Sequence, residues 1–330
     1  MSSIFGELRV RYDPWEVDYG DQTPLELADE AEAEDERIDL EVERPAGSWA
    51  PIVPTGDPAP RPRVVFIDGV VRPELRIRVC RDEQMIYGAF GSYAVGAVEL
   101  TPASAAFGAM RPFRTAVLGA GVRLPGDVRV RPSLVYEART TQDPTIHAPL
   151  AYLQNAMRAE EARLAAELCR EDTLVIVDGR LSLGAKGQGE ALGYIKRIHD
   201  LYLPSRYLRT LIALPARART PLFGIQSAKA GFSRLAWFQR LEAPPLGATE
   251  LHGIVRLEVA NVDRERAREL ADATTLWLPR LVPRRARDPR SPQNLLPIGA
   301  LEQRLRIHLG EAELFRRWIE TLIAKEASRE

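Results

Sequence analysis

RVVFIDGV (63–70) and TLVIVDG (173–179) decide how this sequence is read. Each is a short, β-branched, almost wholly apolar run that closes on Asp-Gly. Such runs predict buried strands, with Asp68 and Asp178 where the strands end. Taken singly, Asp-Gly after a strand marks no more than a turn. Between the two lies a predicted helix over 148–171, in which Leu150, Leu153, Met157, Leu164 and Leu168 recur at three- and four-residue steps. Glu161 falls one turn after Met157 and three residues before Leu164, inside that stripe. Glu160 and Glu167 fall toward its edge. A carboxylate aimed at a core is costly unless it is paired or bound to a metal, which singles out Glu161.

Working outward, LRIRVCRD (75–82) alternates like a half-buried strand, and the glycine-interrupted MIYGAFGSYAVGAVEL (85–100) reads as two strands or one bulged strand. The stretch 101–147 gives no clear order. ALGYIKRI (191–198) and ELHGIVRLEVA (250–260) predict further strands. Helices are expected near 205–215, 262–275, 297–309 and 311–326, with an arginine-rich loop, RLVPRRARDPR (280–290), before the last two. The element order β-β-β-α-β predicts an α/β fold, a mixed sheet flanked by helices, over 61–330. Residues 1–60 form a separate acidic, proline-rich extension. Its large apolar residues Ile4, Phe5, Leu8 and Trp15 suggest docking, 29–43 reads as an acidic helix or a disordered run, and 45–62 as an extended linker.

The formal net charge of −1 conceals an asymmetry. Residues 1–60 hold 16 acids and 4 bases, a net of −12, so the remainder carries +11. A basic body suits a polyanion such as DNA, and the acidic run can cover that surface. A charged surface balanced by its own tail is the plainer alternative. No apolar run reaches membrane-spanning length, so no membrane partner is expected. The first residues lack the order of a signal peptide. Cys80 and Cys169 form neither a metal-ligand spacing nor a disulfide framework, and the expected location is the cytoplasm. Histidines 147, 199, 252 and 308 are scattered, there is no Walker A sequence, and Ser92 and Ser182 have no evident His/Asp partners. GQGEALG (187–193) spaces glycines like a dinucleotide turn, but the strand before it ends too early, at Asp178.

Two strand-end aspartates and a helical glutamate form a donor set for hard divalent cations, Mn²⁺ or Mg²⁺ rather than Zn²⁺. In a two-metal phosphodiesterase such ions lie about 4 Å apart and clamp the attacking water and the leaving oxygen. Lys196 or nearby arginines would neutralise the phosphate, and Arg284, Arg285 and Arg287 are candidate DNA contacts. Late in the chain Glu302 lies among Ile298, Leu301, Leu305 and Leu309, with His308 nearer the stripe's edge. Glu302 is read as a further catalytic, metal-binding acid. His308 is the rival for that place, and a purely structural pairing of Glu302 with Arg256 or Arg304 is the other reading.

FIDGV (66–70), Glu161 seventeen residues before Asp178, and VIVDGRL (175–181) resemble the NurA family of nucleases. GYIK (193–196), RTPLF (219–223) and HGIVRLE (252–258) resemble its later strands. The resemblance implies a ribonuclease H-like fold and manganese-dependent exonuclease and endonuclease activity on DNA. It also implies a homodimer docked on a hexameric HerA-type translocase in DNA end resection and repair. Asp68, Glu161 and Asp178 take the family's metal-binding places. Where the family carries a tyrosine and, eight residues on, a histidine, NLLPIGALE (294–302) puts Asn294 and Glu302. Two other readings stay open: a catalytically silent DNA-binding or adaptor subunit, and a ribonuclease H-like enzyme acting on RNA.

Overall fold

The computed structural model describes residues 4–12, 36–56, 63–81, 84–181, 189–198, 201–227 and 233–329. Residues 29–35 of the acidic run, Trp15, the linker positions 57–62, Asp82, Ser182, residues 187–188 of the glycine motif and His199 lie outside these. Within the described residues, twelve strands join in the order β2-β10-β11-β12-β9-β8-β3-β4-β5-β7-β6, with β1 also pairing with β3. In chain order they are β1 (Arg9–Tyr12), β2 (Glu36–Asp39), β3 (Arg63–Arg81), β4 (Gln84–Leu100), β5 (Ala105–Leu118), β6 (Val128–Arg131), β7 (Leu134–Thr140), β8 (Thr173–Asp178), β9 (Glu190–Ile195), β10 (Phe223–Ser227), β11 (Ser233–Arg240) and β12 (Ile254–Ala260). The helices are α1 (Ala148–Leu168), α2 (Leu208–Ile212), α3 (Arg264–Trp277), α4 (Leu296–His308) and α5 (Ala312–Ala327).

The first strand differs from the sequence expectation. RVVFIDGV and residues 75–81 of LRIRVCRD lie in one strand of 19 residues, Arg63–Arg81. Asp68-Gly69 is not a turn, because both residues stay in the antiparallel ladder, opposite Gly96 and Val95 of β4. The chain yields only at Pro73, which has no N–H to give the ladder, and the register shifts between Pro73 and Leu75. MIYGAFGSYAVGAVEL lies within the single strand β4, whose register against β5 slips between Gly96 and Val98.

Strands β3, β8 and β9 run parallel, and β4 and β5 continue the sheet antiparallel. Strands β3, β4 and β5 form a meander, α1 crosses over, and β8 returns beside β3. This is the ribonuclease H-like α/β architecture, a mixed sheet with helices on both faces. Period-two alternation sends the two halves of each buried strand to different cores. Val65, Ile67, Val175 and Val177 pack with Leu153, Met157 and Leu164 of α1. Phe66, Ile176, Leu192 and Tyr194 pack on the other face with Leu270, Ala271 and Ile298. Further along that face, Leu301, Leu305 and Leu309 cover Val70, Ala94 and Val98.

The start of the chain is woven into this sheet. Residues 36–39, expected as acidic helix or disorder, pair with β10, and Arg9–Tyr12 pair with the far end of β3. The Glu43 carboxylate accepts from Arg219 at 2.8 and 2.9 Å and from the Leu222 N–H at 2.7 Å. Trp49 packs between Tyr207 and Phe223. No helix among the described residues is long and apolar enough to cross a membrane.

Candidate active site

The strand pairing itself builds a crevice. On one side β3 gives residues 63–67 to β8 and residues 77–80 to β1. Among the described residues no strand pairs with 68–76 on that edge, so the sheet opens just past the carboxyl end of β8. In open α/β sheets that is where ligands are received. Ile67 lies opposite Val177 in the parallel ladder, so Asp68 and Asp178 are neighbours just beyond it. Adjacent strands are about 4.8 Å apart, close enough for the two side chains to meet. Lys196 follows β9 two residues after Tyr194, the partner of Asp178.

Glu161 arrives from α1 on the face opposite the core that covers Phe66. It is buried in the stripe formed by Leu150, Leu153, Met157 and Leu164, as its spacing predicts. Gly69 makes room for it. A Cβ built on Gly69 would lie 2.2 Å from Met157 Sδ and 2.8 Å from Glu161 Oε1. We expect Gly69→Ala to push α1 off β3, lowering the melting temperature by several degrees and any cleavage rate at least tenfold. Thermal melts and rates measured on one preparation check this, and a variant matching wild type in both would refute the close approach.

The charges at the crevice are unbalanced. Asp68 and Glu161 are each 6% exposed. Lys196 Nζ lies 2.5 Å from Asp178 Oδ2. Neither Asp68 nor Glu161 has an ion-pair partner among the described residues. Burial, and then the Asp178 charge, holds the Asp68 carboxyl well above the ordinary range despite Lys196 and the Gly69 N–H, which donates to it at 2.8 Å. Burial, then Asp178, pushes Glu161 up to about 8. Burial also raises Asp178, with Lys196 working against it. Two buried carboxylates and the partly buried Asp178 thus have one ammonium in contact, with the Arg158 charge acting on Glu161 at longer range, and a site of that kind is short of positive charge.

The structure brings Asp68, Glu161, Asp178 and Lys196 together. It places Glu302 next to them but gives its carboxylate to arginines, Arg290 at 2.7 Å and Arg306 at 3.0 Å. These are neither of the two arginines expected from sequence. Burial works against ionisation of Glu302, yet the two arginines hold its carboxyl below the ordinary value. His308 bonds the Arg304 carbonyl in its own helix. Arg284, Arg285 and Arg287 lie on the exposed turn before α4, with Arg285 against His252. Gly193 of the glycine motif is a packing glycine, since a Cβ there would meet Gly179 O and Glu258 Cγ at 2.8 Å. Sequence reasoning left out Asp288, and left Asn294 without a role. Asp288 bonds within its own turn, to Arg290 and Asn294, and no local pattern shows that Asn294 then reaches Lys196, 98 residues away.

Oxygen donors, burial and missing positive charge fit a hard divalent cation in ligand type and in charge. As placed, with Lys196 on Asp178, no three His, Cys, Asp or Glu groups among the described residues are grouped tightly enough to hold a metal ion.

No family model matches this chain, and no curated protein does. Among solved structures it is similar to the NurA nuclease from Sulfolobus solfataricus. The identity is 10% and the TM-score 0.42, over 86% of this chain and 88% of that one. It is also similar to an endonuclease V from Bacillus subtilis, at 11% identity and a TM-score of 0.33, over 77% of this chain and 84% of the other. Both neighbours are nucleases by name.

Proposed function

We propose that the chain is a metal-dependent DNA nuclease, with Asp68, Glu161 and Asp178 as ligands of Mn²⁺ or Mg²⁺, one ion or two. One observation carries this reading. Three carboxylates from two neighbouring strands and a helix, Asp68 and Glu161 buried and Asp178 partly so, meet at one crevice, where Lys196 is the one ammonium in ion-pair contact and Arg158 adds only a longer-range pull on Glu161. Such an arrangement is unfavourable for a merely structural cluster. Bound there, the metal would activate water and stabilise charge on the phosphoryl oxygens. The chain's own residues divide the remaining work. Gly69 admits the helix that carries Glu161, Lys196 presents an ammonium to the phosphate, and the exposed Arg284, Arg285 and Arg287 hold the flanking backbone. Glu302, spoken for by two arginines, shapes the charge around Lys196 and stands as a ligand only if those pairs open.

The resemblance noted in the sequence supports DNA as substrate, a homodimer, and work in end resection with a HerA-type translocase. The test is cleavage of labelled single-stranded DNA, double-stranded DNA and RNA. We expect DNA cleavage with Mn²⁺, its complete loss in EDTA and its return when Mn²⁺ is restored. Cleavage undiminished by chelator would refute metal dependence. Cleavage of RNA alone would move the substrate class. DNA binding with no cleavage under any divalent cation would leave an adaptor subunit.

A further inference from the structure

Lys196 is held by more than Asp178. Its Nζ also donates to Asn294 Oδ1 at 3.1 Å. Asn294 is fully buried, and its Nδ2 donates to Asp288 Oδ2 at 2.6 Å. The other Asp288 oxygen accepts from the Arg290 N–H at 2.9 Å and from its Nε at 3.2 Å. The amide can be oriented only one way. An ammonium offers donors alone and a carboxylate acceptors alone, so the carboxamide must turn its oxygen to Lys196 and its nitrogen to Asp288. Lys196 is separated from Asn294 by 98 residues, so this bond is what the turn before α4 delivers to the site.

We infer that Asn294, oriented by Asp288, is a positioning residue for Lys196. An ammonium has three N–H donors. Asp178 engages one and Asn294 a second, and among the described residues the third has no acceptor and is left for one entering the crevice. Two fixed bonds immobilise a head that otherwise swings on a flexible four-carbon stem. The third N–H then points at a phosphate oxygen without first having to be ordered. Asn294 acts through Lys196 and touches no reacting atom. The role in cleavage rests on the nuclease reading, whereas the hold on Lys196 does not.

Two measurements test it. The first is single-turnover cleavage at saturating DNA with Mn²⁺. Asn294→Ala should slow it by at least tenfold while the DNA Kd stays within threefold. In a Lys196→Ala background the same change should cost less than twofold, because the group it positions is gone. Asp288→Ala should follow Asn294→Ala, and Asp288→Asn, which keeps an acceptor for the amide, should lose less. The second is the rate at which an amine-reactive reagent labels Lys196, without metal or DNA, read by mass spectrometry. The chain has only four lysines, at 186, 196, 229 and 325, so the product is easily assigned. Labelling should be at least fivefold faster in Asn294→Ala. A cleavage rate within twofold of wild type, independent effects of the Asn294 and Lys196 changes, or unchanged labelling would each overturn the inference. If Asn294→Ala does not fold, Asp288→Ala decides, since it loosens the amide from its less buried end. If wild-type protein cleaves nothing, the nuclease reading fails, and the labelling rate still judges whether Asn294 holds Lys196.

Discussion

Asp178→Asn and Asp68→Asn should each cut DNA cleavage by about a thousandfold or more, while the protein stays folded and still binds DNA. Either change keeps the size of the side chain and removes a charged oxygen donor. Loss of one charge from a hard-cation site removes most of its affinity, and the loss falls on the step that develops charge at phosphorus. The two variants differ in what they leave behind. Asp178→Asn takes the partner from Lys196, whose ammonium is held by Asp178 at 2.5 Å. Asp68→Asn leaves that pair intact. DNA affinity in chelator should hold or rise in both, because a negative charge beside the phosphate path is gone. Single-turnover cleavage and a binding titration on the same preparations check this. A variant that keeps the wild-type rate shows that its aspartate is no part of the centre.

The second large effect has opposite signs for rate and stability. Glu161→Gln should abolish cleavage and also make the metal-free protein more stable at pH 8. In the folded protein burial, then Asp178, pushes the Glu161 carboxyl up to about 8, against an ordinary value of 4.5. Between those values the folded state holds a proton that the unfolded chain has released. Stability of the wild-type protein therefore falls as pH rises through this window. At about 1.4 kcal/mol for each tenfold change in proton affinity, this cost has an upper limit of roughly 4–5 kcal/mol. Glutamine never ionises and avoids this cost. Thermal melts in EDTA should put Glu161→Gln about 5 °C or more above wild type at pH 8, with the gap nearly closed at pH 5. Mn²⁺ should reverse the order by stabilising the ionised wild type, since it binds the folded state and displaces protons. Equal melts at pH 8 would mean that Glu161 already has its counter-charge.

Much of this centre can be read from spacing, because each acid sits in a local pattern. Glu161 shows itself through three- and four-residue recurrence, and Asp178 through the run that ends on it. Asp68 is found by the same logic for a reason that turns out incomplete. It lies inside a long strand, and Gly69 is there to let a helix close in rather than to turn the chain. The strand at 36–39 also left a trace, since Ile38, Leu40 and Val42 alternate among the acids, but the charge of the segment masks that period. Glu302 shows where helical periodicity stops being informative. A wheel gives the face of α4 but not what stands opposite, and here that is Arg290, on a turn whose path no local signal sets. The Asn294–Lys196 bond is beyond sequence reading for the same reason.

The central claim is that Asp68, Glu161 and Asp178 form one cation site, and it is tested most directly by calorimetric titration of metal-free protein with Mn²⁺. Wild type should bind Mn²⁺ with release of protons, and Asp68→Asn, Glu161→Gln and Asp178→Asn should each weaken binding at least tenfold. No binding by the wild type, or binding that all three changes leave untouched, would contradict it.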